Sequence, residues 1–252
     1  MTVTPCLDQA HWLERWDHMQ ARYLVARQER FDLIVRLLRD VLGAPTRVVD
    51  LGCGTGSLMV PILEAFPGAT VYGVDLDPAL LILARSRLAP FGPRAQIRQA
   101  DLRSPAWLEA LELPLDAAVS ATALHWLNSG QVAALYRALS QALRPGGLLL
   151  NADHVASGSP AIQSAWEQHR ESERAALCDQ TADDWDGFWQ AFAQAVPPEV
   201  MQERARLLGP WQGVEEGLPL AWHLDALRAA GFGAVDCFWR RDCDAVYGGI
   251  RR

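Results

Sequence analysis

The chain has 252 residues, half of them hydrophobic and 21% charged, which suits a soluble globular protein with one substantial core. Its formal net charge is −7, and no dense arginine run offers the basic face that a phosphate backbone requires, so the balance argues against a nucleic-acid partner. All 23 basic residues are arginine, which excludes chemistry that needs a side-chain amine, such as a Schiff base or a P-loop lysine.

In chain order, residues 8–42 read as helix. Leu24, Phe31, Ile34, Val35, Leu37 and Leu38 recur near a 3.6-residue period, and Gly43 and Pro45 end the pattern. From 46 to 151 short apolar runs alternate with helical stretches. Strands are predicted at 47–51, 71–76, 95–100, 117–121 and 148–151, with helices at 57–66, 78–88, 106–111 and 131–143. Asp77 before Pro78 reads as the cap of its helix. Apolar strands separated by helices mean a parallel sheet covered on both faces, and right-handed crossovers give an α/β, doubly wound, Rossmann-like open sheet.

Residues 152–220 break the alternation. They are polar and helix-like, carry Trp166, Trp185, Phe188, Trp189 and Trp211, and are punctuated by Pro160, Pro197, Pro198, Gly209 and Pro210. A helix at 222–230 ends at Gly231, and two β-like runs, 235–240 and 245–250, flank Arg241-Asp242-Cys243-Asp244 as an antiparallel hairpin at the sheet edge. The organisation expected is a helical segment 1–45 that joins a cap, a ligand-binding core 46–151, a helical lid 152–220, and a helix and hairpin 221–252 that complete the core.

Cys6, Cys53, Cys178, Cys237 and Cys243 form no CxxC pair and no zinc-spaced cluster, so no metal is expected. An odd count suits a reducing compartment. With no apolar stretch of about 20 residues and no basic-then-apolar leader, the expectation is a cytoplasmic protein without a membrane partner. Oligomeric state is not legible.

Val48-Val49-Asp50-Leu51-Gly52-Cys53-Gly54-Thr55-Gly56 is a buried strand running into a tight glycine turn. Glycine is required where the backbone takes positive φ or lies against a ligand. A dinucleotide turn wants G-x-G-x-x-G, but here Ser57 stands where the third glycine would fall. Val71–Asp77 is a second strand ending in an acid, Asp75, 19 positions beyond Gly56, and Gln99-Ala100-Asp101-Leu102 closes a third. The G-x-G-x-G turn behind Asp50, followed by these acids, resembles the first motifs of class I S-adenosylmethionine-dependent methyltransferases. Leu143-Arg144-Pro145-Gly146-Gly147-Leu148 and Ser120-Ala121-Thr122-Ala123-Leu124-His125-Trp126 extend the likeness toward the trans-aconitate and malonyl-carrier-protein methyltransferases.

The resemblance implies S-adenosyl-L-methionine as cofactor, held by Asp50, Gly52, Cys53, Gly54, Gly56, Asp75, Leu76, Asp101, Leu102 and Ser120. In it Asp75 takes the ribose hydroxyls and Asp101 the adenine amine, although both also fit as helix caps. His125 and His154 are the candidate catalytic residues, since an imidazole with an ordinary pKa of about 6.5 serves as a base near neutrality. The alternative for His125 is a histidine satisfied by backbone beneath the cap. Cys53 reads as a small turn residue, and the cap tryptophans read first as packing. Arg174, Arg204 and Arg206 read as a solvated face. A carboxylate acceptor would need an arginine fork, for which Arg240 or Arg241 are the guesses.

The function implied is methyl transfer to a small molecule by in-line displacement. Another S-adenosylmethionine-converting enzyme, or a non-catalytic binding partner, stays open. Neither an Asn/Asp-Pro-Pro-Tyr/Phe motif nor a Pro-Cys nucleophile stands after the fourth strand, where nucleic-acid methylation would call for one.

Overall fold

The computed structural model describes residues 7–24, 26–176, 182–209, 213 and 217–252; Cys6, Cys178, Pro210, Trp211 and the side chain of Arg174 lie outside them. The apolar runs become β1 (Arg47–Leu51), β2 (Thr70–Asp75), β3 (Ala95–Gln99), β4 (Leu115–Ala121) and β5 (Leu143–His154), joined by β6 (Phe232–Arg241) and β7 (Asp244–Arg251). They form one seven-stranded sheet in the order β3-β2-β1-β4-β5-β7-β6. The first five strands pair in parallel, and β7 runs antiparallel between β5 and β6. This is the doubly wound sheet with an antiparallel hairpin that the residue pattern implies.

Both faces are covered, so the strands can be apolar at successive positions. Val48 and Val71 face a cluster built by α2 (Arg27–Leu42), α3 (Met59–Ala65) and α4 (Pro78–Leu88), with Phe31, Ile34, Ile62 and Leu81 in it. Val49, Leu51 and Val74 face the cluster of α5 (Ser129–Ala142) and α9 (Leu220–Ala229). The chain winds from β1 outward to β3, then returns on the other flank as β4. That reversal leaves a crevice at the carboxyl ends of β1 and β4.

Four local readings change. The single helix at 8–42 is two, α1 (Gln9–Tyr23) and α2, because Leu24 closes α1 and Ala26 takes a φ of +56° ahead of α2. The break has a packing cause. The second helix lies on the sheet, whereas Trp12, Trp16 and Met19 of the first belong to a separate core. The stretch at 106–111 is a 3₁₀ turn, Pro105–Ala110, short and opened by Pro105 with Ser104 as its cap. The fifth strand starts at Leu143, five residues early. It runs through Gly147, where a Cβ would lie 2.8 Å from the Arg144 carbonyl and 3.1 Å from that of Asp116. The hairpin tip narrows to Asp242-Cys243, with Asp242 at a φ of +49°.

Between β5 and α9 stand α6 (Pro160–Ala176), α7 (Trp185–Ala195) and α8 (Pro198–Leu208). The two ends of this insertion are tied by a bridge between Ala156 and Pro219, with the Ala156 N–H donating to the Leu218 carbonyl at 3.1 Å. A third core sews the insertion to the rest: Trp12 and Trp16 of α1, Ala79 and Leu83 of α4, and Phe188, Trp189 and Phe192 of α7. Trp16 meets Phe188 edge-on at 5.2 Å, and Phe188 stacks on Phe192 at 5.5 Å. Among the described residues no helix is long and apolar enough to cross a membrane.

Phe188 is fully buried at the centre of that third core. Phe188→Ala should cost about 3–5 kcal/mol of packing there. In hydrogen exchange the amides of α1 and α7 should lose protection while β1, β4 and β5 keep theirs; equal loss across the sheet would mean that lid and sheet open as one unit.

Candidate active site

The chain leaves β1 through Gly52-Cys53-Gly54, with φ of +67° at Gly52 and +52° at Gly54. A Cβ on Gly52 would lie 2.4 Å from the Ala123 Cβ, so both backbone and space demand glycine there. Above Gly54 the space is open except for Leu80, at 3.8 Å. Asp75 holds the turn from the tip of β2. Its Oδ2 accepts the Gly54 N–H at 2.7 Å and its Oδ1 accepts the Asp77 N–H at 2.8 Å. Asp77 caps α4, accepting from Ala79 and Leu80.

Over this turn lies a cavity of about 860 Å³, floored by Asp50, Gly52, Gly54 and Asp75 and roofed by Trp185 and Trp189 of α7. Cys53, Leu76, Asp101, Leu102, His125 and His154 also line it. Two of the residues carried over from the resemblance do not. Gly56 faces the core, where a Cβ would meet Leu88 Cδ1 at 2.7 Å. Ser120 is buried, and its hydroxyl donates to the Leu51 carbonyl at 2.7 Å, pinning β4 to β1.

The floor is acidic and short of partners. Asp50 is buried, and its Oδ2 has no hydrogen-bond partner among the described residues. Burial, with the charge of Asp75 added, pushes its carboxyl up to about 8. Burial likewise pushes Asp75 up to about 6, against the pull of the Asp77 and Gly54 N–H groups. The Cys53 thiol is driven well above its ordinary range by burial and then by both carboxylates, so it stays protonated and is no nucleophile. Such a floor suits a ligand that brings positive charge and hydroxyl donors.

One wall is tied to the lid. Arg103 grips Asp101, its Nε lying 2.8 and 2.9 Å from the two carboxylate oxygens, and reaches the Leu207 carbonyl of α8 at 3.1 Å. Burial opposes the charge of Asp101, but the Arg103 bonds outweigh it and hold the carboxyl low. Arg204 is not part of a solvated face. Its Nε donates to Asp77 at 2.7 Å and its guanidinium lies 3.6 Å over the Trp189 ring, because α8 packs against α4. Arg206, in contrast, is exposed and paired with Glu203.

At the far end stand two histidines, each backed by a carboxylate. His125 Nδ1 lies 2.7 Å from Asp153 Oδ1, and the His125 N–H donates to Asp153 Oδ2 at 3.1 Å. His154 Nδ1 lies 2.7 Å from Asp244 Oδ1, which also faces Arg30 at 3.4 Å. The rings are 5.0 Å apart between centroids. Burial works against both acids, yet the histidines more than offset it, and Asp153 and Asp244 sit below the usual carboxylate range. Thr122, just upstream of His125, takes a φ of +51°, a strained state for a β-branched residue that costs about 1–3 kcal/mol. Asp153, Asp244 and Arg30 escaped the sequence reading. Asp153 adjoins His154 and was open to notice; Asp244 and Arg30 are joined to the site only by folding.

The guessed fork is elsewhere. Arg240 stacks on Trp166 and Arg241 pairs with Glu173, both outside the cavity. The cationic lining comes from Arg27 of α2 and Arg170 of α6, beside Arg103 and Arg204. Trp12 is buried as packing, Trp16 and Trp189 are buried in the same core yet also line the cavity, and Trp126 and Trp185 complete its aromatic lining.

A glycine turn, acids at consecutive strand tips and a capped crevice at the reversal of strand order define a Rossmann-like nucleoside-binding protein with a helical lid. Residues 48–147 match the model of a family described as "Methyltransferase domain". Trans-aconitate 2-methyltransferase of Azoarcus sp. (strain BH72) is 33% identical over 214 residues, covering 80% of this chain and 73% of that protein. Its counterpart from Methylobacterium nodulans is 38% identical over 135 residues, and there the match spans 53% of this chain and 48% of the relative. The fold is also that of an O-methyltransferase family protein from Burkholderia thailandensis, at a TM-score of 0.58 and 19% identity over 96% of this chain and 70% of that one. The chain belongs to the class I S-adenosylmethionine-dependent methyltransferases.

The residues present fit that cofactor. S-adenosylmethionine carries a sulfonium, an ammonium and two ribose hydroxyls, and the floor offers an orphaned carboxylate oxygen, a second acid and open space over Gly54.

The raised carboxyl of Asp50 fixes the sign of a pH effect. Its folded value near 8 exceeds the ordinary 3.8, so the stability it contributes is present below about pH 4 and is lost as pH rises toward 8. Asp50→Asn has no proton to lose. In ligand-free protein, the Tm of Asp50→Asn relative to the parent should climb steadily from pH 4 to pH 8; a constant offset would disprove the shift.

Proposed function

We propose that this protein transfers a methyl group from S-adenosylmethionine to a small-molecule acceptor enclosed between the sheet and the lid. The observation that carries the reading is the orphaned, buried carboxylate of Asp50 at the floor of a cavity whose far end holds two carboxylate-backed histidines. When bound, the cofactor supplies a methyl carbon activated by a sulfonium, open to in-line displacement.

In this reading the protein's task is orientation and exclusion of water. Asp75 already spends one lone pair of each oxygen on backbone N–H groups, which fixes its plane and leaves a second on each for ribose hydroxyls. Asp50 faces the cationic end of the cofactor. Asp101, fixed by Arg103, meets the adenine amine between Leu76 and Leu102. Gly52 lets the backbone lie close, while Gly56 and Ser120 act indirectly by packing and pinning the turn. His125 and His154 face the acceptor. The α1 segment and residues 152–220 form the lid that selects it. The name of the trans-aconitate relatives points to an acidic acceptor, and Arg170 and Arg27 supply the cationic lining for one.

Isothermal titration with S-adenosylhomocysteine checks the cofactor half. The parent should bind, and Asp75→Ala should bind at least tenfold more weakly, a loss of about 1.4 kcal/mol or more. Equal affinity in Asp75→Ala would remove the ribose assignment, and no binding by the parent would remove the function.

A further inference from the structure

We propose, resting on the methyltransferase reading, that the acceptor is a hydroxyaryl carboxylic acid and that its hydroxyl oxygen, not its carboxylate, receives the methyl group.

The first argument is the number of bases. A carboxylate reaches the cavity already ionised at neutral pH and needs nothing to take its proton. A hydroxyl must lose one. The acceptor end of this cavity holds two histidines, each with Nδ1 held by a buried carboxylate, and in His154 that pairing leaves Nε2 as the nitrogen for a ligand. That pairing fixes the tautomer and steadies the imidazolium that forms when a hydroxyl proton arrives. Arg30, itself buried, anchors Asp244 behind His154 from α2. Such construction is superfluous for making an ester and suited to making an ether.

The second argument is the lone cation. Arg170 lines the cavity from α6 and makes no hydrogen bond or ion pair among the described residues, although its charge acts on Asp244. A guanidinium in the same cavity as His154 fits a carboxylate on the acceptor, which it would hold while the hydroxyl is presented to His154.

The third is aromatic surface. Trp126 is 43% exposed yet lines the cavity, and its ring lies 6.5 Å from that of Trp185 at a tilt of 32°. An aryl ring stacks on indole faces of this kind; trans-aconitate, an open-chain tricarboxylate, has no ring to do so.

In the step that follows, the hydroxyl oxygen gives a lone pair to the methyl carbon and the carbon–sulfur pair departs with sulfur. The hydroxyl proton passes to His154 Nε2 and then to solvent. Asp244 and Arg30 act on His154 as positioning residues.

The test uses the full chain saturated with S-adenosylhomocysteine and follows tryptophan fluorescence on adding 4-hydroxybenzoate, 4-hydroxycinnamate, cinnamate or trans-aconitate. A hydroxyaryl acid should quench saturably with a Kd at least tenfold below that of trans-aconitate, and Arg170→Gln should raise that Kd about tenfold. With S-adenosylmethionine, product mass and mild alkali should reveal a stable ether, and cinnamate should give no product. His154→Gln should lower kcat at least a hundredfold with KM nearly unchanged. Trans-aconitate binding as tightly as either hydroxy acid, an alkali-labile ester, or no saturable quenching by either hydroxy acid overturns the acceptor class. Failure to bind S-adenosylhomocysteine at all overturns the underlying function instead.

Discussion

The structure turns on an electrostatic tension at one end of the sheet. Asp50 and Asp75 are carried to neighbouring strand tips by the parallel register that sets Asp50 opposite Gly73 and Leu51 opposite Val74. Both are desolvated, and the charge of Asp75 adds to the cost of ionising Asp50. A fold does not keep two such acids together for stability, since replacing them would relieve the strain. They persist where a ligand completes them. Hydroxyl donors and a cation would satisfy such a floor together, and S-adenosylmethionine carries both.

The same acids organise the lid. Asp77, two residues beyond Asp75, caps α4 with one oxygen and holds Arg204 of α8 with the other. Asp101 holds Arg103, which in turn reaches the Leu207 carbonyl. Two of the three strand-tip segments that line the cavity thus have a second bond into α8. Part-buried ion pairs contribute modestly to global stability, but these are placed where the cavity meets α8. The cavity floor and α8 are therefore joined through shared carboxylates, with Trp189 packed between Arg204 and the third core.

How much of this the residues disclosed depends on how local the cause is. The sheet was legible because strand apolarity, helix period and the Asp77–Pro78 cap act within a few residues of each other. The glycine turn and the acids at 50, 75 and 101 were legible for the same reason, each acid lying within two residues of the end of its own strand. The break at Leu24–Ala26 was not, because the apolar period continues across it; what differs is the partner, the sheet for one helix and the third core for the other. Arg204 looked like surface because its neighbours in sequence are polar, and only the docking of α8 on α4 brings it to Asp77. Arg240 and Arg241 were drawn to the cavity by their place near the hairpin tip, but that tip bends toward α6, where Trp166 and Glu173 take them.

The hairpin itself explains why a mostly parallel sheet ends in an antiparallel strand. Parallel strands all present their carboxyl tips to the crevice, and residues deeper in the sheet cannot reach it. A strand inserted in reverse presents its amino end there instead. β7 does so, and its register sets Asp244 directly opposite His154, with Val246 opposite Ala152 continuing the ladder. Cross-strand neighbours of this kind have their Cβ atoms about 4.5–5.5 Å apart, close enough for a carboxylate to take an imidazole Nδ1 without distorting either backbone. Ninety residues separate the pair in sequence, including the entire lid. The insertion can therefore vary in composition without disturbing His154, because the ladder between β5 and β7 holds the histidine in place.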